Sequence, residues 1–272
     1  YKDKRLVNWD PKLLTAISDL EVEQRDQEGS LWHIKYPIDE DNFIIVATTR
    51  PETLLGDSAV AVHPDDSKYK NLIGKHCKLP LVNKNIPIIA DEYADPEKGS
   101  GAVKITPAHD FNDFEVGKKH QLQFINIFDQ FAKINENAPE RFQGLDRFEA
   151  RKLILEELKQ LGLLIKEEKQ QMVIPYGDRS GVIIEPWLTD QWFCNAQKLS
   201  IDPIKSVREN YTNFVPKNWE NTFFNWMENI QPWCISRQLW WGHQIPAWYG
   251  PDNKNFVALS LEEAQLMANK HY

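Results

Sequence analysis

Polar side chains concentrate in two segments, VATTRPETLLGD and GSGAVKITPAHDFND, at the ends of predicted strands. They supply hydroxyl, guanidinium, ammonium, imidazole and carboxylate groups, from Thr48, Thr49, Arg50, Thr53, Lys104, Thr106, His109, Asp110 and Asp113. Convergent polar groups of this kind are typical of a ligand pocket. The set therefore predicts a pocket for a small, charged, hydroxylated ligand.

Each of these residues also has an ordinary structural explanation. Asp110 and Asp113 fall in the first turn of a predicted helix, where a carboxylate stabilises the N-terminus by about 0.5 to 2 kcal/mol. The others fit strand positions, a satisfied loop histidine or a surface ion pair: Thr48, Thr49, His109 and Arg50. Both explanations stay open at the level of residue type and spacing.

Several familiar catalytic patterns are absent from the sequence. There is no G-x-S-x-G segment, no glycine-rich phosphate loop with GK[ST] and no H-E-x-x-H segment. The three cysteines, Cys77, Cys194 and Cys234, stand far apart, which disfavours a disulfide framework and a zinc site. We therefore predict a site that has no metal and no covalent nucleophile.

Composition limits the classes of protein further. The chain has 272 residues, 42% of them hydrophobic and 26% charged, without a long apolar run or a signal-peptide pattern. These features predict a soluble, cytoplasmic protein with no membrane contact. A formal net charge of -8 means that a nucleic acid would have to meet a local basic surface.

The predicted elements place the polar segments on a β-rich scaffold. Apolar and polar residues roughly alternate in ISDLEVEQ and in SLWHIKYPI, with the turn residues Glu28-Gly29-Ser30 between them. This pattern predicts a β-hairpin. Further predicted strands are NFIIVATT, SAVAVHP, IPIIADEY and GAVKITP. Helices are predicted near residues 111–120 and 146–161. The predicted fold class is mainly β with helices (α+β). We predict a closed or nearly closed β-barrel from about residue 18 to 176.

TTRPET together with GAVKITPAHDFND resembles the editing domain inserted in the class I aminoacyl-tRNA synthetases for valine, isoleucine and leucine. LVNWDPKLLTAISDLEVE, GDRSGVIIEPWLTDQWF and ISRQLWWGHQIPAWY are most similar to the valyl branch, so the resemblance covers nearly the whole chain. It implies a junction from the catalytic domain at 1–17, a barrel-like editing domain at 18–176, and an aromatic-rich return segment toward the catalytic Rossmann domain at 177–272.

The resemblance also implies a reaction, the hydrolysis of mischarged Thr-tRNA(Val). Asp113 would bind the α-ammonium of the substrate, and His109 would lie close to the ester. Thr48 and Thr49 would hold the terminal adenosine, while Thr53 would shape the side-chain pocket. The remaining implied site residues are Arg50, Lys104, Thr106 and Asp110. Asp113, His109, Lys104 and Arg50 are assigned to catalysis, and the other five to substrate binding. The general base stays open between a side chain and a ribose hydroxyl.

Cofactors and partners follow from the same resemblance. Editing would need no cofactor, while the full-length enzyme would use ATP with Mg; the chain contains no HIGH-type or KMSKS-type segment for that step. The implied partners are the acceptor end of tRNA(Val), the threonine moiety of the mischarged tRNA, and the catalytic domain of the same full-length chain. Two alternatives stay open: a non-catalytic tRNA-binding or interdomain module, and the isoleucyl or leucyl editing domain.

Overall fold

A pair of long strands runs through the structure, a computed structural model that describes residues 1–272. Strand β3 (Val22–Pro37) pairs antiparallel with β9 (Leu164–Gly177) along nearly its whole length, and β4 (Phe43–Thr48) lies on the other side of β3. In β3, most residues from 30 to 36 are buried, whereas residues 23–28 are exposed. This three-stranded sheet therefore belongs to the core at one end only.

The hairpin predicted around Glu28-Gly29-Ser30 is wrong, because β3 continues through these residues without a turn. Gly29 pairs with Gln170 in the ladder with β9. A Cβ atom at Gly29 would lie 2.2 Å from the sulfur of Met172. The glycine therefore permits a close side-chain approach across the sheet, which is the other common reason for glycine inside a strand.

A second sheet carries part of the predicted site. Its strands, in spatial order, are β6 (His76–Leu79), β7 (Lys84–Ala90), β5 (Ala59–Val62) and β8 (Ala102–Ile105). β5 and β7 are parallel, and the other two pairs are antiparallel. β4 lies against β8, but no ladder joins the two sheets.

The predicted closed or nearly closed barrel is therefore wrong, and the fold is a mixed α+β arrangement of several small sheets. β9 forms a ladder only with β3, so its outer edge does not close onto the second sheet. One apolar core nevertheless joins the two sheets and a helix: it includes Ile34, Tyr36, Val46, Leu54, Val60, Ile88, Phe128, Phe142, Ile154 and Leu158. Each fully buried aliphatic side chain of this kind contributes about 1.5 to 3 kcal/mol.

Both predicted helices of this region are confirmed. Helix α1 (Phe111–Lys119) begins after Asp110, whose carboxylate accepts hydrogen bonds from the second and third helical amides at 2.8 and 3.1 Å. Helix α2 (Arg147–Gln160) begins after Asp146, which accepts from the Phe148 amide at 2.8 Å. Gly162 follows α2 with a positive φ of 66°, a conformation that glycine adopts without strain.

A separate four-stranded sheet joins distant parts of the chain. In spatial order it contains β11 (Trp233–Cys234), β10 (Glu185–Cys194), β1 (Lys2–Asp10) and β2 (Thr15–Ile17). The helices that follow β10 are α3 (Ala196–Leu199), α4 (Ile201–Arg208) and α5 (Trp219–Glu228). All these elements belong to one compact unit, Tyr1–Ile235.

The remaining residues, Ser236–Tyr272, form a second unit. It contains the hairpin of β12 (Ala247–Tyr249) and β13 (Asn255–Val257), followed by α6 (Leu261–His271). A small core of Phe256, Ala258 and Ala264 holds the hairpin to the helix. None of the helices in the protein has the length and apolar character needed to cross a membrane.

Candidate active site

The two polar segments meet where β5 and β8 lie side by side. β4 ends at Thr48, and a 3₁₀ helix, Pro51–Gly56, leads the chain from there into β5. The Ser58 amide donates to the Ile105 carbonyl at 2.9 Å, which aligns the start of β5 with the end of β8. The antiparallel register of these two strands therefore brings the residues just before β5 next to those at the end of β8.

Five buried side chains form a hydrogen-bonded group, the hydroxyl cluster: Tyr36, Thr53, Asp57, Lys104 and Thr106. The Lys104 ammonium donates to Thr53 Oγ1 at 2.8 Å and to Asp57 Oδ1 at 3.1 Å, and it also contacts Thr106 Oγ1. Asp57 accepts from the Thr106 hydroxyl at 2.6 Å and from the Tyr36 hydroxyl at 2.6 Å. The single buried cation is thus matched by a single buried carboxylate, as burial of charge requires.

Burial controls the electrostatics of this cluster. Loss of solvent raises the pKa of the Asp57 carboxyl, while the ammonium of Lys104 and the hydroxyl donors oppose that rise. Burial and the neighbouring Asp57 carboxylate hold the pKa of Tyr36 well above its usual value. Tyr36 therefore stays a hydrogen-bond donor to Asp57.

Asp113 lies beside the hydroxyl cluster on the first turn of α1. It is 5% exposed, and its Oδ2 accepts from the Thr106 amide at 2.8 Å. Burial, followed by the nearby Asp110 carboxylate, raises the pKa of Asp113 to about 7, although Lys104 acts in the opposite direction. Asp110 itself is half-buried and caps α1. Asp113 is therefore not the side-chain cap of α1, and its carboxylate instead binds the amide of the residue that follows β8.

His109 is buried on the loop before α1. Its Nε2 accepts from the Ile127 amide at 2.9 Å, so in the neutral ring the proton is on Nδ1. Nδ1 is buried and has no hydrogen-bond partner. Burial, with the positive charges of Arg50 and Lys104, holds the pKa of His109 well below its usual value. The only lone pair of the ring is occupied, so this geometry favours a supporting role for His109 over that of a base.

Arg50 belongs to a second group, the arginine cluster, which contains Arg50, Glu52, Arg147, Arg151 and Glu185. Arg50 contacts Glu185 and donates to Glu52 at 3.3 Å. Arg151 binds Glu52 through two hydrogen bonds of 2.7 and 2.8 Å, and Arg147 binds Glu185 at 2.8 Å. The two glutamates are at most 2% exposed, so the cluster joins the 3₁₀ helix, α2 and the start of β10 through buried ion pairs.

The structure separates the predicted site residues by burial. Three are partly exposed: Thr49, Arg50 and Asp110. Six are buried: Thr48, Thr53, Lys104, Thr106, His109 and Asp113. The Thr48 hydroxyl accepts from the Arg50 amide at 3.1 Å, so it shapes the backbone turn that follows β4.

Three acidic partners of these residues were not predicted: Glu52, Asp57 and Glu185. Glu52 and Asp57 lie in the same polar segment as Arg50, and an acidic residue so close in sequence to a predicted cation is a signal that could have been used. Glu185 is far away in sequence, and no local pattern indicates its contact with Arg50.

Two surface cavities, of about 450 and 420 Å³, contain none of the predicted site residues. The first lies around Leu79–Asn83, and the second lies around Phe131–Ala132 and reaches Arg147 of the arginine cluster. No group of three or more His, Cys, Asp and Glu side chains is placed to hold a metal ion. The predicted site is thus a packed polar group with a partly exposed rim.

The sequence matches known proteins along its whole length. The family model of class I tRNA synthetases (I, L, M and V) matches residues 1–271. Similar proteins include the valine–tRNA ligases of Rhodopseudomonas palustris, 62% identical over 97% of this chain and 30% of the relative, and of Pelagibacter ubique, 61% identical over 100% of this chain and 31% of the relative. The valine–tRNA ligase of Mesorhizobium japonicum is 60% identical over 100% of this chain and 32% of the relative.

The chain thus spans about a third of the length of these curated relatives. The family match extends through both polar segments, the helix capped by Asp110, and the strands that bring them together. The chain belongs to the class I tRNA synthetases of the isoleucine, leucine, methionine and valine group.

Proposed function

We propose that this chain is the proofreading module of a valine–tRNA ligase and hydrolyses the ester of mischarged Thr-tRNA(Val). The observation that carries the proposal is the buried hydroxyl cluster, in which Thr53, Lys104 and Thr106 supply polar atoms next to the carboxylate of Asp113. Such a lining suits an amino acid that has both an ammonium and a hydroxyl group. An apolar pocket would suit valine instead.

Threonine and valine have nearly the same shape, and they are the standard example of a pair that a hydrophobic synthetic site separates poorly. A second site with polar lining can reverse the preference. Threonine would donate to an acceptor lone pair that remains on a hydroxyl of the cluster, whereas valine would leave that lone pair without a donor at a cost of about 1 to 3 kcal/mol. The proposed site therefore discriminates by hydrogen bonding.

Hydrolysis of the ester requires a held substrate and a stabilised oxyanion. Asp113 binds the α-ammonium, Thr48 and Thr49 hold the terminal adenosine, and Asp110 completes the rim. Water adds to the carbonyl carbon and gives up a proton, the bond to the ribose oxygen breaks, and that oxygen takes up a proton as threonine and tRNA(Val) leave. Arg50 uses three of its five N–H groups on Glu52, Glu185 and the His109 carbonyl, so two N–H groups remain for the developing oxyanion.

The rest of the chain would connect this module to the synthetic part of the enzyme. Residues 1–17 and 177–272 are proposed as junction and return segment, and the pairing of β1 with β10 supports a connection between the junction and the first part of the return segment. The full-length enzyme would attach valine to tRNA(Val), using ATP with Mg at a separate site. The acceptor end of tRNA(Val) would reach the rim at Thr49 and Arg50.

A deacylation assay tests the proposal in the full-length polypeptide that contains this chain. We expect faster hydrolysis of Thr-tRNA(Val) than of Val-tRNA(Val), by about tenfold or more. Preference for a different mischarged tRNA would assign the chain to the isoleucyl or leucyl type.

A second candidate is a non-catalytic tRNA-binding or interdomain module. It is favoured by the internal hydrogen bonds of Lys104, whose contacts with Thr53, Asp57 and Thr106 use all three ammonium protons. Under this function tRNA(Val) would bind without ester hydrolysis above the uncatalysed rate. Binding measured together with deacylation distinguishes the two functions.

A further inference from the structure

We infer that Asp57 is a positioning residue that fixes the proton directions of the hydroxyl cluster, so that the cluster accepts a hydrogen bond from a ligand hydroxyl and offers none. The inference rests on the proposed function for the identity of the ligand. It rests on the structure alone for the contacts of Asp57. It assigns a role to a fully buried carboxylate that neither the binding of the substrate ammonium nor the stabilisation of the oxyanion uses.

The Thr106 hydroxyl has one proton, and that proton is directed at Asp57. The distance from Thr106 Oγ1 to Asp57 Oδ1 is 2.6 Å, and Oδ1 of an ionised carboxylate can only accept. Lys104 donates to the same hydroxyl oxygen, which uses one of its two lone pairs. One lone pair and no proton therefore remain on Thr106 Oγ1 for a ligand.

The Thr53 hydroxyl also has no proton left for a ligand, because it donates to a backbone carbonyl. Its hydroxyl donates to the Arg50 carbonyl at 2.9 Å and accepts from Lys104 at 2.8 Å. Lys104 in turn has three ammonium protons and three oxygen partners. The ammonium orients both hydroxyls and has no proton left for a ligand.

Asp57 holds this arrangement because it is the only anion in contact with Lys104. It is 0% exposed, and it receives the Tyr36 hydroxyl on its other oxygen at 2.6 Å. Without the negative charge, the ammonium would have no counter-ion in a buried site, and a carboxamide in place of the carboxylate could donate as well as accept. The hydroxyl of Thr106 could then donate outward, and the cluster would no longer distinguish a donor from an acceptor.

A substrate series on the parent protein tests the donor requirement without any mutation. We expect tRNA(Val) acylated with threonine or serine to be hydrolysed about tenfold or more faster than tRNA(Val) acylated with valine, each relative to its uncatalysed rate. The ester of 2-amino-3-fluorobutyrate has fluorine in place of the hydroxyl and cannot donate, so it should behave like valine. Hydrolysis of the fluorinated ester as fast as the threonyl ester would overturn the inference.

Two variants in the full-length polypeptide test Asp57 itself. Asp57→Asn should lower the Thr-to-Val hydrolysis ratio by about tenfold or more, because the carboxamide donates as well as accepts and no longer neutralises Lys104, so the proton directions of Thr106 and Lys104 are no longer fixed. Tyr36→Phe is the matched control: it removes a hydrogen bond of equal length from the same carboxylate but leaves the contacts of Lys104 and Thr106 intact. It should lower the melting temperature and keep the ratio. An equal change of the ratio in both variants would overturn the inference.

Labelling of Lys104 by a water-soluble amine-reactive ester, read by mass spectrometry, separates this inference from the proposed function. Lys104 should be protected in the parent and in Tyr36→Phe and reactive in folded Asp57→Asn. If the parent fails to hydrolyse Thr-tRNA(Val), the proposed function fails, and labelling alone decides the positioning role. Protection of Lys104 in Asp57→Asn equal to that in the parent would then overturn it.

Discussion

The hydroxyl cluster and the arginine cluster both contain buried carboxylates paired with cations, yet the two differ in composition and in exposure. The hydroxyl cluster contains one cation, one carboxylate and three hydroxyl groups. The arginine cluster contains three guanidinium groups and two carboxylates, which join segments that are as much as 135 residues apart in sequence. The first cluster keeps acceptor lone pairs available, whereas the second uses its groups mainly to hold elements together.

We expect the arginine cluster to contribute to the stability of the fold and the hydroxyl cluster to contribute to the selectivity for the substrate. Guanidinium groups bind carboxylates in a planar fork, so a few residues can fix the relative positions of a 3₁₀ helix, α2 and β10. Hydroxyl groups are small and have both donor and acceptor capacity, so their direction is set by their neighbours. We therefore expect mutations in the arginine cluster to change the free energy of unfolding, and mutations of Asp57 and Thr106 in the hydroxyl cluster to change selectivity.

The largest expected effect on stability is that of Glu52→Gln. Glu52 is 0% exposed and is paired with Arg151 and Arg50, so the neutral side chain leaves two guanidinium groups short of their partner. Removal of one member of a buried ion pair costs about 3 to 5 kcal/mol of the free energy of unfolding. Urea denaturation of the variant and the parent measures the difference.

Glu115→Gln is the control for this prediction, because Glu115 forms an exposed pair with Lys118 on α1. Exposed pairs of this kind contribute little to stability, so the denaturation midpoint should stay at the parent value. A Glu52→Gln variant as stable as Glu115→Gln would show that the arginine cluster does not hold these elements together. The distinction between the two clusters would then be lost.

The next effect concerns Asp113, which lies beside the hydroxyl cluster. If it binds the substrate ammonium, Asp113→Asn removes a charge-assisted contact worth about 2 to 5 kcal/mol. Deacylation of Thr-tRNA(Val) should fall by roughly thirtyfold to several thousandfold. The amide oxygen can still accept from the Thr106 amide, so the fold should survive with a loss of about 1 kcal/mol or less. A variant with parent activity would return Asp113 to a purely structural role.

The same variant has a second signature in the pH dependence of stability. The folded pKa of about 7 lies above the ordinary value of 3.8, so between these pH values the folded protein keeps a proton that the unfolded chain has released. The contribution of Asp113 to the free energy of unfolding is therefore fully present below 3.8 and is lost as the pH rises through about 7. Asp113→Asn should lack this loss when denaturation is compared at about pH 5 and about pH 8.

The sequence predicted local features well and long-range ones poorly. Both helix starts follow from a side-chain cap, at Asp110 and Asp146, and these contacts are local enough to be read from spacing. The local pattern predicts a turn at Gly29. The actual reason for the glycine is its contact with Met172, which lies on a strand far along the chain and cannot be identified from local sequence. The barrel failed for a related reason, since strand patterns do not say which edges pair.

The site shows the same limit. The residue types around Lys104 and Thr106 predicted that polar groups would meet, but not that their protons would be directed inward. That direction depends on Asp57, which reaches the cluster through the register of β5 and β8. Glu185 depends on even longer-range contacts, because it comes from a different sheet. The anionic partners of predicted cations can therefore be identified only when the fold is known as well as the motif.

The smallest expected effect gives the sharpest contrast with Glu52. Thr106→Val removes the hydroxyl while preserving the shape, so the site should lose about 1 to 3 kcal/mol of its preference for threonine over valine, or roughly five- to 150-fold in the hydrolysis ratio. Thr106→Ser keeps the hydroxyl and its contacts with Asp57 and Lys104, so it should retain most of the ratio. Paired kcat/KM measurements on Thr-tRNA(Val) and Val-tRNA(Val) check both variants. An unchanged ratio in Thr106→Val would remove this hydroxyl from the pocket, because the shape of the side chain alone would then account for the selectivity.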